Sequence, residues 1–147
     1  MKLKLVTAGI LALCLGAGAV FAAGEPQVVR QDLMKKIGGS MGALGAIAKG
    51  QKPYDAATVK TALSTIAESA KDFPNHFPAG SETGFETEAA PAIWQNPADF
   101  KAKAEKLSSD AQTVLASMPA DQAGVGQAMQ TLGSECGACH QTYRLKR

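Results

Sequence analysis

The chain is poor in the residues on which most enzyme chemistry depends. Its 147 residues include two histidines (His76 and His140) and three cysteines (Cys14, Cys136 and Cys139), and aromatics make up 5%. Without Cys14, which lies in the first apolar run, two cysteines and two histidines remain, the bare minimum for the four ligands zinc usually takes, and no general base or nucleophile constellation stands beside the cysteines. Period-two alternation of β-branched residues is missing, which argues against strands and hence against the βαβ setting of a thioredoxin-like dithiol. No apolar run after the first is long enough to cross a membrane. Charge of neither sign dominates, and no basic stripe interleaved with aromatics points to nucleic acid.

The first apolar run is a targeting signal by its pattern. Lys2 and Lys4 precede an uncharged stretch from Leu5 to Val20, and Val20-Phe21-Ala22 offers small residues at the cleavage positions. This is the layout of a secretory signal peptide with a short core, in preference to an uncleaved anchor. Cleavage is expected after Ala22, with Ala19 as the alternative, leaving residues 23–147 as one domain. The mature chain then holds 13 basic and 13 acidic residues, and Cys14 leaves with the signal. Two cysteines remain, in an exported and oxidising compartment where thiols pair or are put to use.

What the chain has in quantity is helix. Met34, Ile37, Met41, Leu44 and Ala48 recur at steps of three and four, predicting a helix from about Gln27 to Lys49 that stops at Gly50. Asp55 is a candidate N-cap for a second, reaching Asp72, with Val59, Leu63, Ile66 and Ala70 on its apolar face. Phe73 to Asn96 carries Pro74, Pro78, Gly80, Gly84 and Pro91 and cannot be one regular element. Asn96-Pro97 opens a third helix through Phe100, Ala104, Leu107 and Ala111 to about Ser117, ended by Pro119. A fourth is expected from about Asp121 to the C-terminus, where Lys146 and Arg147 would suit a helix end. Four such helices, with short links between the first two and the last two, predict an all-α, antiparallel four-helix bundle. Gly38, Gly42 and Gly45 thin one side of the first helix, suggesting close helix approach within the bundle or across a dimer. Eight aromatic residues are few for such a core, and a buried cofactor would supply the missing bulk.

Cys136-Gly137-Ala138-Cys139-His140 is the C-x-x-C-H pattern of covalent haem attachment. Positions i and i+3 share a helix face, so both sulfurs reach one porphyrin edge, and His140 can turn an imidazole nitrogen to the iron from that side. One haem c is therefore expected, with His140 as the proximal ligand. A structural disulfide is the plainer alternative. The opposite axial position has five candidates: Met34, Met41, Met118, Met129 and His76. Met129 lies roughly 16 Å from His140 along one helix and cannot reach the far face. Met118 adjoins Pro119 at a helix end, and His76 reads as a surface side chain in the irregular segment. Met34 and Met41 share a face about 10 Å apart, so at most one can stand over the iron.

Three stretches, Arg30-Gln31-Asp32-Leu33-Met34-Lys35, Ala92-Ile93-Trp94 with Phe100, and Cys136 through Arg144, resemble the class II c-type cytochromes, the cytochrome c-prime family. Leu44 through Gly50, with Pro53-Tyr54-Asp55, resembles its low-spin branch. The resemblance implies that Met34 lies over the distal haem face and, in that branch, ligates iron, leaving Met41 to the core. It implies a periplasmic one-electron carrier that meets redox partner proteins there, as a monomer or a homodimer. The alternative it carries is a five-coordinate, high-spin protein that binds nitric oxide or carbon monoxide. Arg30, one turn before Met34, is read as a propionate partner or a solvated first-turn arginine. The resemblance sets Arg144 beside the proximal histidine, where dipole complementarity would equally account for it. Trp94 and Phe100 resemble positions packed near the haem, and Tyr143 is expected on the same side.

Overall fold

The computed structural model describes residues 24–146, so the expected signal segment lies outside the described residues. Among the described residues five α-helices form: α1 (Pro26–Ala48), α2 (Ala56–Asp72), the short α3 (Ala92–Gln95), α4 (Pro97–Ala116) and α5 (Gln122–Tyr143), with a 3₁₀ turn at Phe73–His76. The four long helices fall within one or two residues of their sequence-based bounds except at the last C-terminus. Local chemistry explains the starts. The Asp55 carboxylate accepts from the Thr58 amide at 2.8 Å, and Asp121 does the same for Gly124 at 2.8 Å, each satisfying an N–H that the first turn leaves bare. Pro26 and Pro97 occupy first-turn positions, where no N–H is needed.

Each long helix packs on two others, in the cyclic order α1, α2, α4, α5. Contacts at the two ends fix the directions. At one end the Tyr54 hydroxyl, between α1 and α2, donates to the Pro119 carbonyl, between α4 and α5, at 2.6 Å. At the other, Phe77 just past α2, Phe100 at the start of α4 and Tyr143 at the end of α5 stack edge to face, with ring centroids 4.7 and 5.3 Å apart. All neighbouring helices are therefore antiparallel, the bundle expected. No strand occurs among the described residues, and no helix there is long and apolar enough to cross a membrane.

Three expectations are corrected. The fourth helix does not run to the C-terminus. α5 ends at Tyr143, and Arg144 is extended, because the loop before α3 takes over the backbone bonding. The Ala90 amide donates to the Tyr143 carbonyl at 3.0 Å, and the Leu145 amide to Glu88 at 2.8 Å. Phe73–Asn96 contains two short helical turns rather than irregular chain alone. The glycines of α1 do not bring helices together within the bundle: a Cβ on Gly38 or Gly42 would meet nothing within 4 Å, and one on Gly45 would make an ordinary 3.6 Å contact with the Met129 methyl.

Candidate functional site

The core divides in two. Leu44, Ile47, Val59, Leu63, Ile66, Val125 and Leu132 form an aliphatic cluster, each at most 2% exposed. Ile93, Phe100 and Tyr143 centre a second cluster at the other end, joined by Phe73, Phe77 and Trp94. Cys136 packs against the first cluster and Cys139 against the second. One turn of α5 thus spans the boundary, and there the helices part to leave a cavity of about 770 Å³. Its size lies within the range of small-molecule and cofactor pockets.

Met34, Ile37, Gly38 and Met41 line this cavity from α1, Phe73 and Phe77 from the 3₁₀ turn and just beyond it, Phe100 and Leu107 from α4, and Cys136, Cys139, His140 and Tyr143 from α5. The residues named for one site from sequence are therefore brought together: Arg30, Met34, Cys136, Cys139, His140 and Arg144 all border it. Met41 does too, besides packing on the core. His76, Met118, Met129 and Trp94 do not. His76 Nε2 lies 2.9 Å from Asp72 Oδ2, one turn back, and Trp94 stacks on Phe77 at 5.8 Å.

The register of α1 against α5 separates the two methionines. The Gln122 side-chain amide donates to the Ala48 carbonyl at 3.3 Å, and Gly45 faces the Met129 methyl. Stepping along the antiparallel pair at about 1.5 Å per residue puts position 34 level with 136 to 140, and position 41 about 10 Å deeper in the bundle.

Arg30 is not solvated. Only 3% exposed, it donates through Nη1 to Ser81 Oγ at 2.9 Å and the His76 carbonyl at 3.2 Å, and through Nη2 to the Ser81 carbonyl at 2.6 Å and Thr87 Oγ1 at 3.0 Å. The guanidinium also lies 4.7 Å from the Phe77 ring centroid. Its Nε is buried without a partner, an orphan donor on a residue that borders the cavity. Arg144 is half exposed and pairs with Glu88 Oε2 at 2.6 Å.

Electrostatics suit the site to a neutral imidazole. Partial burial, and then the Arg144 cation, push the His140 pKa below its usual value, with Glu88 opposing. The free lone pair that a metal needs is thereby favoured. Burial raises the Cys136 thiol and pushes Cys139 up to about 11. Both cysteines are free, so the disulfide alternative does not form, and no group of three or more His, Cys, Asp or Glu side chains gathers for a metal among the described residues. The residues present fit a haem: two thiols on one face, an apolar lining, a neutral histidine alongside, and Arg30, Lys35, Lys103 and Arg144 bordering the cavity to meet propionate charge.

Sequence reading missed several of these partners. Tyr143 Oη donates to Asp99 at 2.5 Å across 44 residues, and that carboxylate pushes the phenol up to about 12. Gln27 and Gln31 reach the carbonyls of Thr83 and Phe85 at 2.8 and 2.6 Å. The only advance signal was polar residues on the α1 face that also carries Met34.

A four-helix bundle whose last helix sets a C-x-x-C-H turn against an apolar cavity defines a c-type cytochrome. The comparisons agree. Residues 25–144 match the family model for cytochrome c'. The chain is 64% identical over 147 residues to cytochrome c-556 of Agrobacterium fabrum strain C58, covering 100% of this chain and 99% of that one. Among solved structures, cytochrome c' from Rhodopseudomonas palustris superposes with a TM-score of 0.79 at 30% identity, covering 84% of this chain and 98% of that one. Oxidized cytochrome c556 from the same organism gives a TM-score of 0.75 at 35% identity, covering 84% and 98%. The chain belongs to the cytochrome c' family, and it binds one covalent haem c. It is an electron-transfer or ligand-binding cytochrome.

Proposed function

We propose that the protein is a periplasmic one-electron carrier, with its haem attached through Cys136 and Cys139 and its iron six-coordinate between His140 and Met34. The observation that carries this reading is the register of α1 on α5: Met34, level with the C-x-x-C-H turn, lines the same cavity as His140 from a different helix. When bound, the haem supplies the one-electron couple. The chain's own residues do the rest. Cys136 and Cys139 fix the porphyrin edge, and His140 offers a neutral nitrogen. The Met34 thioether closes the other face, which favours the reduced state and blocks added ligands. Phe73, Phe77 and Phe100 exclude water, and the Arg30 Nε–H is free to meet a propionate. Export rests on the signal pattern of residues 1–22.

Visible spectra of the ferric and ferrous protein, with and without carbon monoxide, test the assignment. The expected result is a low-spin protein with a thioether-to-iron charge-transfer band that carbon monoxide does not alter and that Met34→Ala abolishes. A high-spin spectrum that shifts on adding the gas would replace the carrier with a gas-binding cytochrome.

A further inference from the structure

Gly38, Gly39 and Gly42 lie exposed and well inside α1. Glycine in a helix interior is destabilising relative to alanine, because it gives up more backbone freedom on folding. Neither usual reason for a glycine holds at these positions. None of the three has a positive φ, and a Cβ on any of them would meet nothing within 4 Å. An alanine would fit the polypeptide at each one.

Gly38 differs from the other two because it borders the haem cavity, and they do not. It stands four residues after Met34, so the two positions lie one above the other on one face of α1. Helical side chains lean toward the N-terminus, over the turn before their own Cα. A side chain at 38 would therefore reach back over position 34, into the cavity that α1 shares with the Cys136–His140 turn. That cavity is already walled by large groups, among them Ile37, Met41, Phe73, Phe100 and Leu107. A separate observation indicates that a group from outside the polypeptide completes it. The Arg30 Nε, on a side chain only 3% exposed at the border of the same cavity, has no partner in the chain.

We infer that Gly38 decides the axial coordination: by carrying no side chain it leaves the space over Met34 to the haem, so that the thioether closes on the iron. The inference rests on the carrier reading and adds the position whose size separates a filled sixth site from an open one. A methionine at 34 is then insufficient by itself. With a large residue at 38 its sulfur would be held off the iron, and the site would take up small neutral ligands.

The test compares the Gly38→Leu, Gly38→Ala and Gly42→Leu holoproteins with wild type. Leucine is a strong helix former, so neither leucine should weaken α1, and Gly42→Leu controls for an apolar side chain added to the same helix. Far-UV circular dichroism and covalent haem content establish that each variant is folded and loaded. Gly38→Leu is expected to lose the thioether-to-iron charge-transfer band and to gain carbon monoxide affinity roughly 10- to 100-fold, the worth of overpacking one site. Gly38→Ala should move the same way by a smaller factor, about 3-fold, and it decides the matter if leucine prevents haem attachment. Gly42→Leu should match wild type. A folded, loaded Gly38→Leu that keeps the band and ignores the gas would overturn the inference. So would loss of the band in both leucine variants, or wild-type behaviour in Gly38→Ala when Gly38→Leu does not load. Failure of the carrier reading is distinguishable, because it shows before any substitution: wild type would itself be high-spin and bind the gas, and the inference would fall with it.

Discussion

The two ends of the bundle solve the same packing problem differently. At the Tyr54 end, aliphatic side chains from all four long helices close the core by themselves, and Leu44, Val59, Leu63, Ile66 and Leu132 have no measurable exposure. At the Tyr143 end the helices carry aromatics, part from one another and leave a cavity of about 770 Å³. A cleft of that size, with apolar walls and an open mouth, is left to water when no cofactor fills it, so this end gains more from a bound haem than the closed aliphatic end does. The few aromatics are concentrated here: of the 5 Phe, 2 Tyr and 1 Trp, five residues gather around the haem cavity or directly behind it.

That contrast can be broken most severely at the cysteines. In Cys136→Ser/Cys139→Ser, made without covalent haem, amide exchange is expected to lose protection in residues 73–100 and 133–143 and to retain it around Val59–Ile66. Uniform loss would show that the ends fold as one unit. Leu63→Ala attacks the other end. It should cost about 2–5 kcal/mol in denaturant titrations and leave the haem spectrum unaltered. Arg30→Met should cost about 2 kcal/mol, because the Ser81 and His76 carbonyls lose a charged donor, and loop 81–88 should exchange faster while α2 does not. Arg144→Ala removes a half-exposed ion pair and should cost under about 1 kcal/mol.

The smallest effect is alkaline. The Asp99 hydrogen bond raises the Tyr143 pKa from 10.0 to about 12, so its stabilisation is complete below the unfolded value and fades as pH rises toward the folded one. The stability gap between wild type and Tyr143→Phe should accordingly hold steady up to about pH 10 and close above it. A gap that stays constant through pH 12 would show that the Asp99 hydrogen bond does not raise the Tyr143 pKa.

Much of the molecule was legible because much of its chemistry is local. Asp55 and Asp121 bond amides three residues on, and Met34, Ile37, Met41 and Leu44 share a face by helical period alone. Cys136, Cys139 and His140 lie within five residues, so one turn of helix suffices to align them. Arg30 illustrates the limit. Its position beside Met34 was readable, but its burial under Phe77 and its grip on Ser81 and Thr87 depend on a loop more than 50 residues away. The glycines of α1 show the same limit: small residues permit a close approach without saying what approaches, and within the bundle no helix takes up the space beside Gly38 or Gly42.

The sequence by itself determined the helices, the antiparallel order of the bundle and the covalent haem turn, since each follows from spacing within a few residues along the chain. Tertiary structure decided the register that sets Met34, already singled out by the family resemblance, level with that turn, that Arg144 meets Glu88 and Tyr143 meets Asp99, and that Phe85 is held outward. Those outcomes depend on the register between helices and on where a long loop is pinned, and contacts between distant residues leave no periodic trace in the order of the amino acids.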